Sequence, residues 1–313
     1  MTKLIATRDA YGETLAGLGG ENKDIVVLDA DLSGSTKTNI FAKKFPDRFF
    51  NMGVSEADMM GTAAGLAACG KIPFASTFAI FASGRAWEQV RQSIAYPKLN
   101  VKIVASHSGI TVGEDGGSHQ AIEDIALMRV IPNMTVIVPC DGVETRSVIQ
   151  EIVKYNGPVY VRVARGKFPV ILPEDYKFTI GKGVVVRDGK DATIIAAGLM
   201  VSHALEAASI LEKEGLNIRV INMSTIKPID RNLIIKAAKE TGAIITAEEH
   251  SILGGLGEAV AGVVAEECPV PVKRVGVQDR FGQSGLAEEL LVHYALMPKD
   301  IAEAVKEVVK KRK

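Results

Sequence analysis

Cysteine is scarce in this chain, with three residues in 313, at Cys69, Cys140 and Cys268. So odd and scattered a set excludes a disulfide framework and a cysteine zinc motif, and it suits a reducing, cytoplasmic setting. Net charge is lacking too. The chain carries 37 Lys and Arg against 37 Asp and Glu, so it has neither a basic field for nucleic acid nor an acidic tail. No apolar run reaches the roughly 18–20 residues of a membrane span, and MTKLIATRDA has no signal-peptide core. Nucleic acid and membrane are therefore not expected partners. Aromatic residues are few, at 5% with a single Trp87, and carry little information.

What is present is alternation. Short, nearly continuous apolar runs at 24–31, 71–77, 100–106, 134–139 and 158–164 read as strands buried on both faces. Helical patterns at 56–68, 84–96, 121–131 and 142–155 fall between them, the last with Asp141 as N-cap. Residues 166–183 hold two prolines and three glycines without a clear period, which reads as a linker. Alternation then resumes, with strands at 192–198, 217–223, 242–249 and 272–278 and helices at 203–215, 230–241, 255–267, 285–295 and 299–312. The expected fold is α/β, with two domains, each a mainly parallel sheet flanked by helices. The boundaries are 1–168, a linker over 169–186, and 187–313.

The segment from Ser106 to Gln120, SHSGITVGEDGGSHQ, brings His107, Glu114, Asp115 and His119 together among four glycines. Glycine denies it a regular helix, and it follows the apolar run VKIVA, as a site at a strand's carboxyl end would. His, Glu and Asp are all metal ligands, and they equally suit hydrogen bonding to a polyhydroxylated or phosphorylated substrate. A solvated loop is the bland alternative. Three further clusters lie at 6–15 with Arg8, at 28–39 with Asp31 and Ser35, and at 50–61 with Glu56 opening a helix. A carboxylate in a first helical turn is more often a cap than a catalyst. Phe78 and Phe81, three apart after a strand, are on their own usually core. Gly254-Gly255-Leu256-Gly257 opens a helix that either binds a phosphate or simply allows close packing.

In this order, GVSEADM, TFAIF, SHSGITVGEDGGSHQ and PCDGVET resemble the pyrimidine-binding domain of transketolase, and TAEEHSILGGLGEAV with QDRFGQSG resembles its C-terminal domain. The resemblance covers nearly the whole chain. It implies a thiamine diphosphate enzyme whose cofactor lies between a diphosphate-binding domain of one subunit and a pyrimidine-binding domain of another. Glu56 stands where the family has the glutamate that shares a proton with the pyrimidine ring and favours the imino tautomer able to deprotonate the thiazolium carbon. Phe78 and Phe81 would hold that ring, Asp31 matches an acid near it, and Gly84 stands where many relatives carry a third aromatic. His107, His119 and Asp115 match groups on the sugar, His107 and His119 with catalytic roles. Arg8, Ser35 and Arg165 match positions that bind its phosphate, for which arginine offers planar, charge-assisted donors. On this resemblance the His/Glu/Asp loop serves substrate, and the chain itself carries no metal site.

The family's Gly-Asp-Gly element and downstream Asn, which hold Mg²⁺ on the diphosphate, are missing from the chain. The resemblance therefore implies an N-terminal partner subunit that supplies them. The Met1 start, with a helix soon after, favours a natural separate subunit over a truncated piece. The expected activity is transfer of a two-carbon ketol unit from a ketose phosphate to an aldose phosphate. The expected assembly is a homodimer alone and a heterotetramer with the partner. The alternatives are a 1-deoxyxylulose-5-phosphate synthase, the β-type subunit of a 2-oxo acid dehydrogenase, or a regulatory or scaffold partner that kept the fold.

Overall fold

A computed structural model describes residues 3–311. In its N-terminal half the strands are β1 (Leu4–Ala6), β2 (Ile25–Asp29), β3 (Phe49–Asn51), β4 (Ile72–Ser76), β5 (Lys102–Ala105), β6 (Thr135–Ile137), β7 (Val159–Arg162) and β8 (Lys167–Pro169). The C-terminal half adds β9 (Val184–Arg187), β10 (Ala192–Ala196), β11 (Ile218–Asn222), β12 (Thr225–Lys227), β13 (Ile244–Ser251) and β14 (Val272–Val277). One sheet runs β12-β6-β7-β5-β4-β2-β3 and the other β14-β13-β10-β11-β9. Pairing within these two sheets is parallel except at β12 on β6 and β9 on β11, and β1 and β8 form a separate two-stranded antiparallel sheet. Every residue of β2, β5, β7 and β10 is buried, which is why these strands read as nearly continuous apolar runs.

Four pairings involve strands that were not expected: β3 beside β2, β9 beside β11, β1 with β8, and β12 with β6. β8 lies in the segment read as a linker and pairs antiparallel with β1, Leu4 opposite Pro169. β12 leaves the C-terminal half to become an edge strand of the first sheet. The halves share an apolar cluster in which Val136 and Val138 pack with Ile221, Met223 and Ile226. Asp141 caps its helix as expected, its side chain accepting from Glu144 N at 2.8 Å. Its other carboxylate oxygen accepts from the Ile171 and Leu172 amides at 2.7 and 2.9 Å, tying down the connecting segment. The helix expected from Gly84 begins earlier, in a π-helical turn at Phe81–Arg85, with a second π-helical stretch at Val90–Ala95. The expected 121–131 helix narrows to Asp124–Arg129 and the 285–295 helix to Ala287–His293. Among the described residues no helix is long and apolar enough to cross a membrane.

Candidate active site

The first sheet sets out its polar residues along one edge. β7, β5, β4, β2 and β3 are successive neighbours, and their parallel carboxyl ends lead to Arg165, His107, Phe78, Asp31 and Glu56 in turn. Side chains leaving strand ends on one edge converge without further design, the usual ligand position in open α/β sheets. Arg8 joins them from the first turn of helix Thr7–Glu21. The β1–β8 ladder and the bond from the Ala164 amide to Thr7 Oγ1, 2.8 Å, draw that helix start beside Arg165.

Glu56 opens helix Glu56–Ala68 and is only 3% exposed. Arg85 Nη1 donates to both of its carboxylate oxygens, at 3.2 and 3.3 Å. The Arg85 guanidinium also lies 4.4 Å from the Phe81 ring centroid. The Phe78 and Phe81 rings are nearly parallel, 15° apart with centroids separated by 5.9 Å. His107 stacks on Phe78 at 3.9 Å, and His119 meets Phe81 edge-on at 5.4 Å. Arg85 thus links a buried carboxylate to an aromatic wall.

The other end of the edge is cationic. Arg8 Nη1 donates to the Ser35 carbonyl at 3.1 Å and approaches His107 Nε2 at 3.4 Å. A guanidinium only donates, so His107 Nε2 accepts and its proton sits on Nδ1, facing Ser106 Oγ at 2.9 Å. Burial, with Arg8 and Arg165 nearby, pushes the His107 pKa down to about 3, so the ring stays neutral near pH 7. Arg165 donates to the Val112 carbonyl at 2.6 Å and stands 3.4 Å from Glu114 and 3.9 Å from Asp115. Arg8 makes no ion pair among the described residues, and its buried Nε has no hydrogen-bond partner. Burial lowers its pKa, Asp9 opposing. A half-buried arginine that keeps an N–H without a partner is a donor set suited to an incoming oxyanion.

The 107–119 loop is held from the C-terminal half. Gln120 Nε2 donates to the carbonyls of Ile110, Gly113 and Gln283 at 3.1, 3.3 and 2.9 Å. Gly117 packs so close to Gly282 that a Cβ would lie 2.6 Å from its carbonyl oxygen. The motif QDRFGQSG therefore serves as a wall for the loop.

Most of the expected residues meet. Arg8, Ser35, Phe78, Phe81, His107, Asp115, His119 and Arg165 join through the contacts above, and Glu56 joins through Arg85. Asp31 sits apart from these contacts, on an exposed left-handed turn (φ +62°) where it accepts from Asn51 Nδ2 at 2.8 Å. Ser35 takes part through its carbonyl. The phosphate alternative for the Gly254–Gly257 helix start is excluded. Glu248 occupies it, its oxygens accepting the Leu256 and Gly257 amides at 2.7 and 2.8 Å. Among the described residues no group of three or more His, Cys, Asp and Glu is arranged to hold a metal ion. Sequence reasoning missed Arg85, beside the Gly84 position it singled out, and Lys37, which lies near His107 and pairs with Asp9 at 3.5 Å. Their basic character in segments already selected was the only signal.

Comparison with known proteins matches two family models to the chain. The family model for the transketolase pyrimidine binding domain matches residues 3–170, and that for the transketolase C-terminal domain matches 181–301. A transketolase C-terminal section of Methanocaldococcus jannaschii is 55% identical, over 97% of this chain and 96% of that protein. A 6-deoxy-6-sulfo-D-fructose transketolase subunit of a Clostridium species is 44% identical, over 97% of this chain and 95% of its own. Among solved structures, a split-gene transketolase described as an inactive β4 tetramer superposes with a TM-score of 0.93 at 55% identity, covering 99% of this chain and 100% of its own. With both family models matching in order and the carboxylate, aromatic pair and cations on one sheet edge, the chain belongs to the transketolase family.

Proposed function

We propose that this chain is the C-terminal subunit of a split transketolase, which transfers a two-carbon ketol unit between a ketose and an aldose that carry phosphate. The observation that carries this reading is the division of one sheet edge into two chemistries. At one end a buried carboxylate is linked through Arg85 to one of two nearly parallel phenyl rings. At the other stand an arginine with an unused buried N–H, a neutral histidine and a second arginine.

The first end fits the aminopyrimidine of thiamine diphosphate, a planar ring whose nitrogen wants a carboxyl partner. When bound, that cofactor supplies the carbon nucleophile and electron sink for cleaving the bond beside a ketose carbonyl. Glu56 would hold the proton at the ring nitrogen, and Phe78 and Phe81 would pack the ring. Asp31 stands near the edge for a role beside the same ring. His107, neutral with its proton on Nδ1, would accept a hydrogen bond from a sugar hydroxyl at Nε2, the nitrogen that Arg8 now approaches. His119 and Asp115 face the same space with one more donor or acceptor and one carboxylate for a hydroxyl. Arg8, Ser35 and Arg165 would take the anionic tail. The Mg²⁺–diphosphate half falls to an N-terminal partner subunit. The sulfonated sugar in one relative's name makes a sulfonate tail a second fit for the same arginines.

Purified alone, the chain is expected to lack ketol transfer and to self-associate, as the split-gene relative is described as an inactive tetramer. Activity should appear on adding an N-terminal subunit with Mg²⁺ and thiamine diphosphate. Assays with a ketose phosphate, a sulfonated ketose and a neutral ketose separate the tails, and sedimentation measures the assemblies. Full activity from the chain alone, or none with the partner on any of these donors, would defeat the proposal.

A further inference from the structure

In the core of the C-terminal half, β13 buries three titratable residues in succession, Glu248, Glu249 and His250. Glu248 is consumed by the helix start it caps. Glu249 reaches out of its own domain and under the 107–119 loop, where Oε1 accepts the Thr111 amide at 2.7 Å. Gly109 lies against the same carboxylate. A Cβ there would overlap it, and the backbone is left-handed at φ +73°, so glycine alone fits. Arg162 completes the platform. Its Nη2 donates to the Glu249 carbonyl at 2.9 Å and to the Ala121 carbonyl at 3.0 Å, and its Nε pairs with Asp124 at 2.9 Å. Ala121 in turn accepts the Gly109 amide at 2.8 Å, closing the base of the loop.

Placing a carboxyl group in the core is costly, and burial pushes the Glu249 pKa up, Arg162 opposing. An apolar side chain would fill the space at less cost, so its use lies in the bond it makes. Between its own backbone groups the loop has turn bonds, from Gly113 N to Ile110 O, Gly116 N to Gly113 O, and His119 N and Gln120 N to Gly116 O. The Gln120 and Arg165 side chains hold the Ile110, Gly113 and Val112 carbonyls, but the Thr111 amide is held by Glu249. Thr111 is followed by Val112, whose carbonyl holds Arg165.

We propose that Glu249 is a positioning residue, by which the C-terminal domain fixes the loop backbone at Thr111 and so sets where His107, Asp115, His119 and Arg165 stand toward the sugar phosphate. The catalytic consequence rests on the transketolase reading; the effect on the loop does not.

The test has two arms. In the isolated subunit, amide deuterium exchange over 109–118 should speed up by about tenfold or more in Glu249→Ala, as loss of a charged hydrogen bond implies. In Glu249→Gln, which still offers an acceptor oxygen, exchange should stay within about threefold of the parent. Ile301→Ala, a core truncation in the same domain, should lower Tm while leaving loop exchange unchanged. In the complex with the partner subunit, Glu249→Ala should raise KM for the phosphorylated sugar about tenfold and leave the thiamine diphosphate Kd alone. Loop exchange in Glu249→Ala no faster than in Ile301→Ala would overturn the proposal, as would equal losses in Glu249→Gln and Glu249→Ala. Should Glu249→Ala fail to fold, Glu249→Asp, which withdraws the carboxylate by one methylene, is held to the same criteria. A parent complex without ketol transfer would defeat the assigned function, and the exchange arm would still decide the role of Glu249.

Discussion

Glu56 and Glu248 are both buried, 3% and 1% exposed, and each carboxylate lies at a helix start, Glu56 as the first residue of its helix and Glu248 reaching from β13 to the start of another. Glu248 accepts two backbone amides of the helix that follows it, at 2.7 and 2.8 Å, with His250 Nδ1 3.6 Å away. Glu56 has, among the described residues, Arg85 as its hydrogen-bond partner, and that side chain is 55% exposed. The first carboxylate is bound by rigid backbone in the same fold that buries it. The second is held by a mobile type of side chain at a cleft and can exchange its partner. Burial alone does not mark a functional acid; what distinguishes one is how much of its hydrogen-bonding capacity the fold leaves uncommitted.

Substitution should separate the two. Glu56→Gln is expected to lower kcat of the assembled enzyme by roughly 10²–10⁴ through loss of acid–base function. Stability should change by no more than about 0.5 kcal/mol, since a pair with a half-exposed arginine contributes little. Turnover with denaturant titration reads both, and undiminished turnover would remove Glu56 from its role. Glu248→Ala should do the reverse. It orphans two buried amides and should cost about 2–4 kcal/mol in unfolding free energy. A change below about 0.5 kcal/mol there would erase the contrast.

The comparison extends to the cations. Arg8→Ala and Arg165→Ala should lower kcat/KM for phosphorylated donors about 10- to 150-fold, the worth of a charge-assisted hydrogen bond, and spare neutral donors. Equal losses on both donors would assign these arginines to the fold. The smallest effect concerns His107. Its folded pKa, near 3, lies below the unfolded value of about 6.5. The unfolded chain therefore takes up the proton first, and the His107 contribution, complete above pH 6.5, is lost as pH falls from there toward 3. Between pH 7 and 5 the parent should lose at most about 2 kcal/mol that His107→Gln retains. Parallel pH profiles for the two would show that the ring titrates normally.

Much of this was legible in the chain, for a local reason. Strands buried on both faces are mostly apolar, so β2, β5, β7 and β10 announced themselves although Asp29, Lys102, Arg162 and Thr193 interrupt them. Polar residues just after them, such as His107 and Arg165, had to fall on one sheet edge. Asp141 was legible as a cap because its partner amide is three residues away. β8 and β12 were not. Each is three residues long, and its partner lies far along the chain, Phe168 opposite Ile5 and Thr225 opposite Ile137. The Gly254–Gly257 helix start looked open to an anion because nothing local says that Glu248 folds back onto it.

The sequence by itself determined the α/β alternation, the order of the strand ends and the residue types that reach them, since periodicity and side-chain chemistry are properties of neighbours along the chain. Only the tertiary structure decided which of those groups remain uncommitted. Arg85 closes on Glu56, Arg8 keeps an unused N–H, and Glu249 crosses from the second domain to hold Thr111. Those outcomes depend on distances between segments far apart in sequence, and packing sets such distances where no local pattern records them.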